Sequence, residues 1–167
     1  MTTSDEPKIN AETGQAKNES WHSHIQFDDS WDTMEVVGKL TKWWEASCTA
    51  HAVDPDDKRF KNVLYFILEL GKNALEHGHG GEVQALFGNG AITVTVTDHG
   101  QGFENPNDDI LYGTPGHGLS QVKGYADELT IETNGKKFVK VPKRKRLLDS
   151  DETDVKTGTK ITFVKKF

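Results

Sequence analysis

Residues 69–77 read ELGKNALEH, and this stretch decides the fold. Glu69, Asn73 and His77 follow one another at intervals of four, and four residues advance an α-helix by ~400°, so the three form one stripe. The flanking positions are apolar, which predicts a polar stripe on a largely buried helix, where polar groups need partners. A mid-helix glycine costs ~1 kcal/mol relative to alanine, so Gly71 indicates close packing or a ligand. Taken alone, the stripe also fits the polar outer face of an amphipathic helix.

The residues before this stretch predict two helix starts and one strand. Asp-Pro at 54–55 is typical of a helix start, so the central helix is expected to run from there to just before Gly78, a suitable left-handed cap. Apolar residues at spacings of three and four predict an earlier helix over about 31–50, with N-cap candidates at 28–30. Residues 24–27 alternate between polar and apolar and predict a short strand.

The residues after this stretch predict two hairpins and a closing strand. Asn-Gly between alternating runs is the strongest short-range hairpin signal, and it occurs at 89–90 and at 134–135. The expected strands cover residues 82–88, 91–98, 129–133, 138–141 and 159–164. Two hairpins indicate a largely antiparallel sheet, against which three helices, one of them short and near 119–126, must bury their faces. The predicted fold class is α+β: a two-layer α/β sandwich with a mixed, mostly antiparallel sheet covered on one face by about three helices.

Length and composition limit the organisation of the chain. Its 167 residues predict a single domain at 22–167, after a polar N-terminal tail at 1–21 that we expect to be disordered. The formal net charge of −6 disfavours direct nucleic-acid binding, and the single cysteine, Cys48, excludes an intrachain disulfide. No apolar run approaches the ~18 residues of a membrane span and no secretory signal is recognisable, so we expect a cytoplasmic protein without membrane contact.

Two glycine-rich segments follow the central helix. The first, DHGQG at 98–102, comes directly after a strand, and the second, GTPGHGL at 113–119, opens the short helix. Glycines let the backbone approach a ligand closely, and free N–H groups at a helix start bind anions. Each signal is weak alone, since the first also fits a plain turn and the second a flexible linker. Residues 99–117 lack any period, which is typical of a functional loop, and we assign a lid to about 103–117.

In order along the chain, the segments read E-x-x-x-N-A-x-x-H, D-x-G-x-G, G-x-G-L and Gly158-Thr159. This series resembles the GHKL (Bergerat-type) ATP-binding fold shared by gyrase, histidine kinases and chaperones of the ninety-kilodalton class. The resemblance covers about residues 23–167 and implies ATP and Mg²⁺ as cofactors, with Asn73 as the Mg²⁺ ligand and Asp98 reading the adenine amino group. The other residues that it implies in ATP binding are His77, Gly100, Gly102, Gly116, His117, Gly118, Leu119 and Thr159.

Glu69 distinguishes the subfamilies of this fold. In having a carboxylate four residues before the asparagine, the chain resembles the hydrolytic members and the anti-sigma-factor serine/threonine kinases. In those proteins this carboxylate takes a proton from water or from a protein hydroxyl. A solitary domain resembles the kinases most, so Glu69 is the expected catalytic base for transfer of the ATP γ-phosphoryl group to a protein hydroxyl. The resemblance implies a sigma-factor-like or anti-anti-sigma-like protein partner, and a homodimer is a further expectation.

One departure from the family pattern leaves two alternatives open. The lid has no Arg or Lys between residues 103 and 115, so none of its side chains can neutralise a terminal phosphate. The missing cations favour a non-catalytic ATP-binding regulatory module, which Glu69 opposes, and a slow ATPase is the third alternative to be weighed beside the kinase.

A charged hairpin insertion is expected at about 136–157. Its first eleven residues hold seven basic side chains, and acidic residues follow at 149–154. The pattern fits a solvated surface hairpin, with a partner-docking segment as the alternative. On the first long helix, Trp43 lies off the apolar face and is the expected interface residue, whereas Trp44 and Cys48 are expected in the core.

Overall fold

The structure, a computed structural model, describes residues 20–112 and 118–167. Within these ranges it contains four helices and seven strands. The helices are α1 (Thr33–Ala50), α2 (Lys58–Gly78), α3 (Pro106–Tyr112) and α4 (Gly118–Tyr125). The strands are β1 (Trp21–Asp28), β2 (Gly80–Gly88), β3 (Ala91–Asp98), β4 (Glu128–Thr133), β5 (Lys136–Val139), β6 (Leu148–Ser150) and β7 (Thr159–Lys166).

All seven strands form one antiparallel sheet in the order β1-β2-β3-β7-β4-β5-β6. The two predicted hairpins join β2 to β3 and β4 to β5. Both residues of each Asn-Gly turn have a positive φ, 53° and 70° at Asn89 and Gly90, and 48° and 79° at Asn134 and Gly135. A type I′ turn requires this backbone conformation. The predicted α+β sandwich is confirmed, with one strand and one helix more than expected.

One face of the sheet carries the hydrophobic core. In β1, Trp21, Ser23, Ile25 and Phe27 are buried and the residues between them are not, because successive strand side chains point to opposite faces. The same alternation in β3 and β7 supplies apolar side chains to the cluster that includes α1 and α2. Trp21 is 4% exposed, so the fold begins at the last residue that we had assigned to the tail. Residues 1–19 of that tail lie outside the described residues.

Helix α1 begins at a capping box and not at the expected cap at 28–30. The Asp32 carboxylate accepts the N–H of Glu35 at 2.8 Å, and the Glu35 carboxylate accepts the N–H of Asp32 at 2.9 Å. The earlier polar residues form a separate turn, in which Asp28 accepts the N–H of Ser30.

The prediction of Trp43 as an interface residue is wrong, since Trp43 and Trp44 are both fully buried. The buried stripe of α1 passes through positions 36, 40, 43 and 47, whereas apolar residues at spacings of three and four also run from Met34, which is 78% exposed. Cys48 lies in the core as predicted, and burial raises the pKa of its thiol to about 12.

Helix α2 starts at Lys58 and not at the predicted Asp-Pro pair. The Asp57 side chain caps it by accepting the N–H of Arg59 at 2.8 Å. Asp54 instead closes a preceding turn, in which its carboxylate accepts the N–H of Asp56. Several acidic residues in a row gave several cap candidates, and the spacing of the first apolar residues did not discriminate between them.

Two glycines of α2 serve close packing. A Cβ on Gly71 would lie 2.5 Å from Cδ1 of Leu40, so the predicted packing role of Gly71 is confirmed at the contact between α1 and α2. The expectation that Gly78 is the left-handed cap is wrong, because the helix includes Gly78 and its cap is His79, with φ of 57°. Gly78 is needed for a different reason, its close approach to Asp98.

The segment 99–117, which we predicted to lack regular structure, contains helix α3. The Asn105 side chain accepts the N–H of Asn107 at 3.0 Å, and Pro106 occupies the first helical position. These start signals lie in a run rich in Gly, Asn and Asp that has no helical apolar period, so periodicity could not reveal the helix.

The charged insertion is more than a solvated hairpin, because it extends the sheet through the pairing of β5 with β6. Its basic run at 143–146 is exposed, but Leu147 is only 3% exposed. The N–H of Leu147 donates to Oδ1 of Asn107 at 2.6 Å, and its carbonyl accepts from Nδ2 of Asn107 at 3.1 Å. Asn107 is itself buried, so these two hydrogen bonds join the insertion to the helix of the lid.

Candidate functional site

The predicted polar stripe occupies the C-terminal half of α2. Glu69 and Asn73 are half-buried, and His77 is exposed. The Glu69 carboxylate forms an ion pair with Lys72, one turn further along the helix. The side-chain amide of Asn73 has no hydrogen-bond partner within residues 20–112 and 118–167. The stripe therefore presents one paired carboxylate and one amide with its bonding capacity unused.

Glu69 faces the first residue of α4. A Cβ on Gly118 would lie 3.0 Å from Cβ of Glu69 and 3.7 Å from its Oε2. One turn before Glu69 on α2, the Tyr65 hydroxyl donates to Oε1 of Gln121, which follows Gly118 on α4, at 2.8 Å. The two helices therefore run in opposite directions. This arrangement places the start of α4, where free N–H groups attract anions, beside Glu69.

Asp98 ends β3 near the C-terminal end of α2. Its carboxylate accepts the N–H of Gly100 at 2.9 Å and the N–H of Thr159, its partner on β7. Burial raises the pKa of Asp98 above its ordinary value, and this effect exceeds the lowering by these hydrogen bonds and by the neighbouring His77 and His99. A carboxylate has about four acceptor positions, so Asp98 retains capacity for a ligand donor.

Glycines allow the two segments to meet at this end. A Cβ on Gly78 would lie 2.6 Å from Cγ of Asp98, and a Cβ on Gly100 would lie 2.6 Å from Cα of Gly78. Because side chains cannot occupy these positions, the end of α2 and the segment after β3 are in direct backbone contact. Asp98 and Gly100, which belong to the next motif along the chain, are thereby brought to the stripe.

A threonine that sequence reasoning missed supports the glycine-rich segment. Oγ1 of Thr133 accepts the N–H of Phe103 at 2.9 Å and donates to the carbonyl of Gly158 at 3.1 Å. It also lies 3.4 Å from Oγ1 of Thr159, and both threonines are buried. Gly102 reaches this position with φ of 73°, and its Cβ would clash with Oγ1 of Thr133. The available signal was that Thr133 follows Leu129 and Ile131 at alternate positions, on the buried face of β4.

The site has two ends, joined by α2. The helix rises ~13.5 Å over the nine residues from Glu69 to Gly78. The structure brings together Glu69, Asn73 and Gly118 at the first end, and His77, Asp98, Gly100 and Thr159 at the second. Leu119 is 4% exposed, so its side chain packs α4 into the core. Gly116 and His117 lie outside the described residues.

A large open cleft of the described part of the molecule lies elsewhere. It has a volume of about 1160 Å³ and runs along the edge strand β1, with Trp31 and Lys39 in its lining. It reaches Gly78 and His99, next to the Asp98 end, but no predicted site residue lines it. The cleft therefore adjoins the Asp98 end without containing the predicted site residues.

Comparison with known proteins agrees with the fold. The family model of the histidine kinase-like ATPase domain matches residues 31–142, which include α1, the stripe of α2, Asp98 and the lid. No curated protein matches the chain. Among residues 20–112 and 118–167, none of the helices combines the length and apolar character that crossing a membrane requires. Since the matched region is more than half of the chain, and the antiparallel α+β sandwich agrees with it, the chain belongs to the histidine kinase-like ATPase domain family.

Proposed function

We propose that the chain binds ATP along the C-terminal half of α2 and transfers the γ-phosphoryl group to a serine or threonine hydroxyl of a partner protein, as anti-sigma-factor kinases do. Family membership supports nucleotide binding, with ATP as the expected ligand. The adenine contacts Asp98, and the phosphates lie near Glu69, Asn73 and Gly118.

The observation that carries this proposal is the position of Glu69. Its Oε2 lies 3.7 Å from the Cβ position of Gly118, at the helix start where the phosphates would bind. A carboxylate repels a phosphate, so a site that only holds nucleotide gains nothing from Glu69 there. A base that accepts a proton from an attacking hydroxyl, in contrast, must lie at this position.

Asp98 supports selectivity for adenine over guanine. The N–H groups of Gly100 and Thr159 hold its carboxylate in place, and the remaining acceptor positions suit a donor on the ligand. Adenine presents an exocyclic amino donor, whereas guanine has an acceptor carbonyl at the equivalent position. We therefore expect ATP to bind and GTP to be rejected.

Asn73 fits a role as a Mg²⁺ ligand. Mg²⁺ keeps several waters and is held by one or two protein oxygens together with substrate phosphates. The unused amide oxygen of Asn73 meets this need, and the described residues contain no cluster of three or more His, Cys, Asp or Glu that would hold a metal alone. When bound, Mg²⁺ supplies neutralisation of phosphate charge.

In the proposed reaction, the hydroxyl oxygen of the partner protein forms a bond to the γ-phosphorus, and the bond from this phosphorus to the β–γ bridging oxygen breaks. The hydroxyl proton passes to the Glu69 carboxylate, and ADP is the leaving group. The start of α4 orients the phosphates, because its N–H groups point towards them.

A second candidate is a non-catalytic module in which bound ATP sets a conformation that a partner reads, with slow ATP hydrolysis as a variant. The absence of Lys and Arg from residues 103–117 favours it. For either candidate we propose a sigma-factor-like or anti-anti-sigma-like protein partner, and a homodimer as the assembly.

Single-turnover assays with γ-labelled ATP and a purified anti-anti-sigma-type acceptor protein test the proposal. Wild type should transfer label to the acceptor, and Glu69→Gln should lower the rate by about a hundredfold or more while keeping ATP bound. Glu45→Gln, an exposed carboxylate on α1, is the control and should transfer as wild type does. Transfer by Glu69→Gln at the wild-type rate contradicts the role of Glu69. Release of free phosphate alone indicates the ATPase, and binding without turnover indicates the regulatory module.

A further inference from the structure

Lys72 lies at the end of the site formed by Glu69, Asn73 and Gly118, where the phosphates are proposed to bind. It lies on α2 immediately before Asn73, and its Nζ donates a hydrogen bond to Oε1 of Glu69. The side chains of Lys72 and Glu69 are 31% and 21% exposed, so the pair is partly withdrawn from water but remains open to a ligand. The ammonium group therefore sits on the same carboxylate whose second oxygen faces Gly118.

The sequence around the site is otherwise free of permanent cations. Lys72 is the only Lys or Arg between residues 62 and 122, a span that contains α2 after its first turn, Asp98 and the entire lid. The nearest lysine outside this span on α2 is Lys61, which lies ~16.5 Å away along the helix and pairs with Asp56. Lys123, on the other side, donates to the carbonyl of Arg144 in the insertion.

We infer that Lys72 is the cation that contacts the terminal phosphate of ATP, and that it leaves Glu69 when the triphosphate binds. This inference rests on the proposed function, because it assigns the phosphates to this end of α2. A terminal phosphate carries more charge and more acceptor oxygens than a carboxylate, so it competes for the ammonium group. Lysine has a flexible four-carbon stem, which permits the exchange without movement of α2.

The exchange couples the base to the substrate. With ADP bound, no γ-phosphate draws Lys72 away, and the ammonium group stays on Glu69. With ATP bound, Lys72 moves to the γ-phosphate, and Glu69 becomes free to accept a proton from the attacking hydroxyl. Lys72 thus compensates for a lid without cations and distinguishes ATP from ADP.

A purely structural role for Lys72 makes a different prediction. Ion pairs three residues apart on a helix are common and contribute little to stability when partly exposed. Under that role, replacing Lys72 changes the affinities for ATP and ADP equally or not at all. The ratio of the two affinities therefore separates the roles.

The test is calorimetric titration of Lys72→Gln, Lys72→Arg and Lys61→Gln with ATP and with ADP, each with Mg²⁺. Loss of a charge-assisted contact should weaken ATP binding by Lys72→Gln about tenfold or more, with a much smaller effect on ADP. Lys72→Arg should retain most of the preference for ATP. Lys61 also lies on α2 and also belongs to an ion pair, so Lys61→Gln is the control and should bind both nucleotides as wild type does.

Two outcomes overturn the inference. One is an unchanged ratio of ATP to ADP affinity in Lys72→Gln. The other is that adding Lys72→Gln to Glu69→Gln leaves ATP affinity unchanged, since Lys72 would then act on ATP only through Glu69. Failure of the nucleotide site itself is distinguishable from both, because wild type would then bind neither nucleotide. Failure of phosphotransfer alone appears in the single-turnover assay and not in the ratio of ATP to ADP affinity. Circular dichroism and melting of each variant verify that it is folded.

Discussion

Asp98 fills the space that a side chain on Gly78 would need, since a Cβ at position 78 would lie 2.6 Å from Cγ of Asp98 and 2.8 Å from its Oδ1. The C-terminal end of α2 and the end of β3 therefore meet without an intervening side chain. Glu69 and Asn73 belong to the same helix, so this contact also fixes their positions relative to Asp98. One helix thus sets the spacing between the two ends of the candidate site.

Gly78→Ala should disturb both the fold and the site. The new methyl group forces the Asp98 side chain to move, and overpacking of this kind typically costs about 1–3 kcal/mol in the free energy of unfolding. ATP affinity should fall as well, because the carboxylate is displaced. Denaturant unfolding and calorimetric titration measure the two effects. Gly38→Ala in α1 is the control: a Cβ there meets no atom within 4 Å, so stability should rise by up to ~1 kcal/mol. Equal stability of the two variants would show that Gly78 is not tightly packed.

The stability of the unliganded protein should depend on the ionisation of Asp98. Burial raises the pKa of Asp98 in the folded state, so the folded protein binds this proton more tightly than the unfolded chain does. The resulting stabilisation is complete below the ordinary pKa of 3.8 and is lost as the pH rises through the raised value. Asp98→Asn does not ionise, so its unfolding free energy relative to wild type should increase from about pH 4 to about pH 7. Urea titrations across this range measure the difference, and a constant difference would contradict the expectation.

The contact between Asn107 and Leu147 should hold the insertion to the lid helix. Asn107→Ala removes two hydrogen bonds and leaves a buried N–H and a buried carbonyl without partners, which should cost about 1–3 kcal/mol in unfolding free energy. Amide hydrogen exchange at Leu147 should accelerate. Asn62→Ala, an exposed asparagine on α2, is the matched control and should leave exchange at Leu147 unchanged. Unaltered exchange in Asn107→Ala would mean that the insertion is held by other contacts.

The parts of the fold that were predictable have local causes. The turns at Asn89-Gly90 and Asn134-Gly135 need positive φ at both positions, and the sequence supplies the two residues that tolerate it. The packing role of Gly71 was predictable because a mid-helix glycine is unfavourable without a compensating contact. The assignment of Asp98 to a strand end followed from alternation in β3.

The parts that were not predictable depend on partners distant in sequence. Trp43 is buried because the buried stripe of α1 is set by its packing, and the apolar spacing from Met34 indicated a different face. Helix α3 is fixed by its Asn-Pro start and by the bond of Asn107 to Leu147, forty residues later. The ion pair of Lys72 with Glu69 could have been predicted, since the two residues lie three positions apart on one helix. The family motif includes Glu69 and Asn73 but not Lys72.

The central claim is that α2 and Asp98 form an adenine nucleotide site, and the melting temperature with ATP, ADP or GTP, each with and without Mg²⁺, tests it most directly. A ligand at 100 times its Kd adds ~2.7 kcal/mol to the free energy of unfolding, which gives a readily measured upward shift. The account predicts a shift with ATP that Mg²⁺ increases, that GTP does not produce and that Asp98→Asn loses. No shift with any nucleotide, or equal shifts with ATP and GTP, would contradict it.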